Sequence, residues 1–252
     1  MRELVAVFSG IVFGWVLIPR FLQIDRGVFQ VENYRKAQVQ NSTGVWLALT
    51  SILATMFLVI WYSEVPVLWF YVLSISFLGL LDDLLVEKAK GLMGHVKALL
   101  QGKVTTGTLK LVFILLLSLG LALVFKRSHV YLDAVLTAIF ANTVNTLDTR
   151  PKRAITFYLT ILVITTLFGN TDLFRLYGLA VAGMLFVLYP YEAHEKTMLG
   201  DAGSNLLGAL LGLSLWQFAP ILKLVLIAIG VLWQIFADTY SLTKLLDRLK
   251  QK

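Results

Sequence analysis

The chain has 252 residues, 58% of them hydrophobic and 15% charged, with a mean hydropathy of +0.79 and a net charge of +7. A soluble domain of this length has no use for so much apolar material, and apolar runs of about 17 to 22 residues, the length that spans a bilayer as a helix, recur along it. There is no cysteine, which excludes disulfides and thiolate metal sites.

These features predict an all-α fold: a polytopic integral membrane helix bundle over residues 1–252, with no separate soluble domain. Nine spans are predicted, at about 3–19, 45–62, 65–82, 109–125, 130–146, 154–168, 173–190, 205–219 and 221–238. The first begins directly after Met1-Arg2-Glu3, and no small-residue cleavage site follows it. It is read as a retained span rather than a cleaved signal peptide. The stretches IPR, SEVP, FKRSH, FGNTD and APILK mark turns. No repeat of fixed period and no low-complexity segment is visible.

A net charge of +7 raises nucleic acid as a partner, but its distribution argues for a membrane instead. With nine spans, residues 20–44, 83–108, 147–153, 191–204 and 239–252 fall on one side. The opposite side holds only Arg2, Lys126, Arg127, Arg175 and Lys223, which leaves 17 of the 22 Lys and Arg on the first, Lys110 at a span edge included. This is the positive-inside pattern. It predicts a cytoplasmic carboxyl terminus, an amino terminus outside and long loops in the cytoplasm.

Three polar clusters then share that side. Asp82 and Asp83 close the third span in FLGLLDDLLVEKAKG, Asn142, Asn145 and Asp148 close the fifth in FANTVNTLDTRPKRA, and Asp201 opens the eighth in MLGDAGSNLLG. Two spans separate each cluster from the next, so all three can meet in one site. An acidic pair at a helix carboxyl end opposes the helix dipole and calls for a compensating lysine or metal ion. Asn142, Asn145 and Asp148 are spaced i, i+3, i+6 and lie on one stripe. More ordinary roles stand beside these. Asparagines in spans act as interhelical hydrogen-bond glue, and Asp201 can cap the eighth helix. Gly200 and Gly203 also permit close backbone approach to a ligand at a positive helix end. Carboxylates from several helices, without His or Cys clusters, suit a hard cation such as Mg2+. The 83–108 loop adds Lys88, Lys90, Lys97, Lys103 and His95. Mg2+ and lysines together suit a pyrophosphate, while contact with anionic lipid headgroups is the simpler role for some of these lysines.

The order LLDD, NTVNTLD and MLGDAGSNLLG resembles the polyprenyl-phosphate N-acetylhexosamine-1-phosphate transferases. That family includes the enzyme that makes the first lipid-linked peptidoglycan precursor and those that prime teichoic acid and other surface polymers. The resemblance covers about residues 40–212. NSTG at 41–44 partly resembles the family's Pro-Thr-x-Gly-Gly, and GLMGHVKALLQGKVTTGTLK is similar to the loop and fourth-span entry of short bacterial members. The resemblance implies a multi-pass protein of a bacterial plasma membrane that starts a cell-envelope glycopolymer. It implies that a polyprenyl phosphate attacks the β-phosphate of a UDP-sugar, giving polyprenyl-diphospho-sugar and UMP. Asp201 then matches the Mg2+ ligand (Mn2+ being an alternative ion), and Asp82 and Asp83 the catalytic pair. Asn142, Asn145 and Asp148 match the nucleotide-side motif, with Lys90 and Lys97 on the diphosphate. The expected partners are the lipid phosphate and the UDP-sugar, with no nucleic acid and with a homodimer left open.

The chain departs from the family at several points. Thr149 and Arg150 stand where the middle motif usually continues Asp-Gly, so Arg150 and Arg153 become candidate phosphate clamps. YPYEAHEK replaces the Asn usually found before the Gly-Asp element. The His-rich loop that helps larger members choose a sugar is absent, as is a tenth span. His194 and Arg150 are therefore expected to line the donor site, His194 nearer the sugar. Three rival readings compete. A transporter or flippase needs polar residues at mid-membrane depth, a catalytically inactive scaffold would lose the metal site, and a CDP-alcohol phosphotransferase needs a dense DG-rich acidic motif.

Overall fold

A computed structural model describes residues 1–24, 29–33, 35–41, 43–85, 98, 100–170 and 172–239. Among these residues nine α-helices form: α1 Arg2–Ile24, α2 Thr43–Thr55, α3 Val65–Leu84, α4 Thr106–Val124, α5 Val130–Leu147, α6 Arg153–Phe168, α7 Leu173–Ala193, α8 Gly200–Ser214 and α9 Pro220–Thr239. A 3-10 segment, Met56–Ile60, prolongs α2. The expected helical bundle is present, and seven of its helices are long and apolar enough to cross a membrane. The other two, α6 and α8, have 16 and 15 residues. At 1.5 Å per residue α8 is only about 22 Å long, shorter than a bilayer core of about 30 Å. The eighth span, expected at 205–219, instead starts at Gly200 and ends at Ser214, which puts Asp201 in its first turn.

α8 is the axis of the bundle. Each of its residues is buried except Asp201, which is partly exposed. It packs on α2, α3, α5 and α6. Such contact requires small residues where backbones meet, because lipid offers no hydrophobic drive for helix association. Gly79 of α3 sits against the backbone of Asp201 and Ala202, where any β-carbon would collide. Gly208 and Gly212 give α5 the same freedom at Phe140, Ala141 and Thr137.

Several polar groups within the spans pair between helices, which offsets their removal from water. Ser51 and Tyr177 hydroxyls lie 2.7 Å apart, and those of Tyr71 and Ser118 2.8 Å apart. The Tyr158 hydroxyl donates to the Gly178 carbonyl at 3.0 Å.

One element is not helical. Strands β1 Gln30–Glu32 and β2 Gln38–Gln40 pair antiparallel, with Val31 opposite Val39. Asn33 holds the turn: its Oδ1 accepts from the backbone N–H of Arg35 at 2.8 Å and Ala37 at 3.0 Å. The hairpin docks on the segment between α7 and α8. Met198 N–H donates to the Gln40 carbonyl at 2.8 Å, and Glu195 bonds both Asn33 (3.3 Å) and Arg35 (3.3 Å).

The two ends of the bundle are both polar but differ in kind. At the end holding the start of α5 and α9, fully buried Asp133 bridges Arg127 and Lys223. Trp216 Nε1 donates to the Asp133 carbonyl (3.0 Å) and to the Thr137 hydroxyl (2.9 Å), and Arg127 donates to the Trp216 carbonyl. Arg175 pairs with Glu3 at 2.5 Å, tying α7 to α1. Removing one member of a buried ion group costs about 3–5 kcal/mol, whereas an apolar replacement of both partners is near neutral. Asp133→Ala should therefore lower the unfolding midpoint in detergent by many degrees, and adding Lys223→Met should restore much of the loss. Equal midpoints for wild type and Asp133→Ala would show that this group does not hold α4, α5, α8 and α9 together.

Candidate active site

The opposite end gathers residues from four helices. Asp82 and Asp83 lie in the last turn of α3, Lys110 in the second turn of α4, Asn145 at the end of α5 with Asp148 as its C-cap, and Asp201 in the first turn of α8. Alternating helix directions bring these ends together, as the sequence led us to expect.

The start of α8 explains part of the cluster. A helix begins with N–H groups that have no partner inside the helix. The residue before α8, Leu199, offers no side-chain cap. Asp83 supplies one from α3: its Oδ2 accepts the Asp201 N–H at 3.0 Å, and the Ala202 N–H also donates to it. Asp148 accepts the Gly200 N–H. Both carboxylates thus lie at the positive end of the α8 dipole, where negative charge is favoured. Burial pushes the Asp148 carboxyl well above the usual carboxylate range, and the nearby carboxylates of Glu192, Asp201 and Asp83 push the same way. The Gly200 N–H offsets only part of that.

Gly200 has φ +65°, in the left-handed region that favours glycine. A β-carbon there would also meet Asn41 and Asp83. Gly203 sits against Gly44 of α2. The expected opening for a ligand at the α8 amino end is therefore filled by protein, and Asp201 is not the cap.

Asp201 instead faces a lysine. The Lys110 ammonium lies 2.5 Å from Asp82 Oδ2 and 2.5 Å from Asp201 Oδ2. The Asn145 amide, oriented to satisfy its neighbours, donates to Asp201 Oδ1 (2.9 Å) and Ser204 Oγ (2.8 Å) and accepts from Lys110 Nζ at 3.3 Å. All three ammonium hydrogens thus have oxygen partners, one each from α3, α5 and α8. Thr106 bonds Asp82 as well. One turn beyond Asp201, buried Asn205 donates to the Asp201 carbonyl at 2.6 Å, and its Oδ1 has no partner among the described residues.

The remaining expected residues are placed differently. Asn142 is half-buried on α5, and no hydrogen bond joins it to the carboxylates among the described residues. Arg150 is half-buried in the turn between α5 and α6. His194 is exposed at the end of α7, with its Nδ1 2.7 Å from the Pro190 carbonyl oxygen rather than over the carboxylates. Glu195 is committed to the hairpin. Lys90 and Lys97, with Lys88 and His95, lie outside the described residues. Sequence reasoning placed Lys110 at a span edge and missed its role. The signal available was a lone lysine followed by fifteen residues without charge, KLVFILLLSLGLALVF.

No group of three or more His, Cys, Asp or Glu side chains fit to hold a metal ion occurs among the described residues. The donors that do converge are two carboxylate oxygens and one amide oxygen, and a cation already sits at their meeting point. Mg2+ is commonly held by one or two carboxylates together with substrate phosphates and water. The donor set therefore fits a hard cation in chemistry and number. No protein-family model matches the chain, and no curated protein matches it.

The capping geometry makes a specific prediction for Asp83. Asp83→Asn keeps an acceptor for the Asp201 N–H, whereas Asp83→Ala leaves that buried N–H unmet at a cost of about 1–3 kcal/mol. The alanine variant should show a clearly lower unfolding midpoint than the asparagine variant. Identical midpoints would mean that Asp83 does not cap α8.

Proposed function

We propose that this protein transfers a sugar-1-phosphate, an N-acetylhexosamine-1-phosphate by preference, from a UDP-sugar to a polyprenyl phosphate, with release of UMP. One observation carries the reading: the three acidic clusters that resemble the transferase motifs, far apart in sequence, meet at one end of the bundle around a common cationic point. An oxygen of the lipid phosphate attacks the β-phosphorus of the donor, and the bond from that phosphorus to the oxygen bridging it to UMP breaks. Asp82, Asp201 and Asn145 would hold a divalent cation, which supplies positive charge against the transferring phosphate. In this reading Asp82 orients the lipid phosphate or takes its proton. Asp83 and Asp148 position Asp201 by fixing the start of α8. Arg150 lies two residues beyond Asp148 and serves the donor phosphates, with Lys90 and Lys97 added from the 86–97 segment.

The site faces the cytoplasm in this reading, with nine membrane-embedded helices, the amino terminus outside and the carboxyl terminus inside. The charge bias between loops supports that orientation. A catalytically inactive scaffold of the same fold is the second reading. It is favoured by one observation, that Lys110 already satisfies Asp82 and Asp201.

Purified protein incubated with polyprenyl phosphate, Mg2+ and a panel of UDP-sugars should release UMP with at least one donor. Asp201→Asn should reduce that turnover by orders of magnitude while the protein stays folded, because the neutral amide contributes no charge to the cation site. No UMP from any donor would favour the scaffold. Near-full turnover by Asp201→Asn would remove the metal role from Asp201.

Orientation is tested separately, and the absence of native cysteine makes the test clean. A cysteine placed at Lys103 should be protected from an impermeant thiol reagent in intact cells, and one placed at Lys126 should be labelled. The reverse pattern would put the cluster on the wrong side for a cytoplasmic nucleotide donor.

A further inference from the structure

Lys110 has the geometry of an ion rather than of an ordinary salt-bridge partner. Its ammonium is nearly buried, with 9% of the side chain exposed, and it uses all three hydrogens on oxygens from three different helices. Removing water from an ammonium is costly unless carboxylates replace that water. Two carboxyl groups face this one ammonium, and Asp83 lies beside them through its bond to Asp201 N–H. The same three oxygens are hard donors of the kind that Mg2+ prefers. A lysine holds its charge on a flexible four-carbon stem. Its ammonium can therefore leave the oxygens while the α4 backbone stays packed.

We propose that Lys110 is a built-in, displaceable counter-ion: its ammonium holds Asp82, Asp201 and Asn145 together until a divalent cation takes those oxygens, and it then turns outward to meet an anionic phosphate group. The proposal rests on the cation-dependent transfer reading above, but metal binding and lysine exposure test it without turnover. It gives the cluster an order of events. The acidic groups stay together without metal, the divalent cation enters by exchange for a monovalent one, and the displaced ammonium becomes a phosphate contact at the edge of the site. The lysine also sets the metal affinity, since each cation must be exchanged for the ammonium.

Two measurements decide it. The first titrates Mn2+, as a spectroscopic probe, into purified wild type and Lys110→Met and follows free Mn2+ by electron paramagnetic resonance. Loss of the competing charge should tighten binding by about tenfold or more. Metal-free Lys110→Met should also have a lowered unfolding midpoint that Mg2+ raises further than it raises the wild type's. The second uses the wild type alone, so it does not depend on the variant folding. Amine acetylation read by mass spectrometry should increase several-fold at Lys110 on adding Mg2+, while exposed Lys36 stays constant. Equal or weaker Mn2+ binding in a folded Lys110→Met overturns the proposal, as does Lys110 acetylation that is unchanged by Mg2+. Absence of UMP release alongside metal-dependent exposure of Lys110 would reject the transferase reading and leave the counter-ion role standing.

Discussion

The start of α8 is buried, and a buried helix start has to satisfy its N–H groups without water. Its own preceding residue is Leu199, so the acceptors come from elsewhere in the chain: Asp83 from α3 and Asp148 from the end of α5. Each of those carboxylates sits at the carboxyl end of its own helix, where the dipole opposes it. That opposition is eased once the helix runs antiparallel to α8 and the two opposite dipole ends meet, although burial still holds the Asp148 carboxyl above its ordinary range. The acidic residues thus favour the helix arrangement that makes them tolerable. Gly79 lets α3 come close enough for this to happen, because its Cα lies against the α8 backbone at Asp201 and Ala202.

This arrangement divides the acids by what they touch. Asp83 and Asp148 spend oxygens on backbone N–H groups, which ties them to the fold. Asp82 and Asp201 spend theirs on the Lys110 ammonium, a partner that can exchange. Asn145 links the pair to α5 and, through Ser204, to the second turn of α8. A substitution in the first set acts through the position of Asp201, and one in the second acts on the charge itself. The paired aspartates in LLDD, equivalent by spacing and chemistry in the sequence, are therefore unlike in the structure.

Much of this was legible beforehand, for physical reasons. Span length and apolarity fix helices in a membrane, so element type and order follow from hydropathy. Alternation of spans then places Asp82, Asp148 and Asp201 at one end without further information. Hydropathy is a poor guide to where a helix begins when its first turn is GDAGSN, so the start of α8 and its buried cap were missed. Lys110 was hidden for a similar reason. A lysine at a span edge reads as an interfacial anchor, and only the packing of α4 against α3 and α5 turns it inward. The hairpin left a signal, with Val31 and Val39 among polar neighbours around an Asn33 turn. Three-residue strands lie below the length at which alternation is informative.

The two ends of the bundle give the last contrast, because both bury charged groups but pair them differently. At the far end Asp133 lies between two cations, Arg127 and Lys223, and Asp172 caps α7 beside them through the Arg175 N–H. Arg175 is matched by Glu3. Three acids meet three bases there, and Arg127 and Arg175 also donate to the Trp216 and Gly169 carbonyls at the ends of neighbouring helices. At the α8 start, Asp82 and Asp201 share the Lys110 ammonium, while Asp83 and Asp148 accept backbone N–H groups of α8. One ammonium divided between two carboxylates gives neither a full partner, and an incompletely paired buried carboxylate is costly. Such a pair has a use for positive charge that arrives from outside the chain, with Asp201 the one partly exposed residue of α8 to receive it.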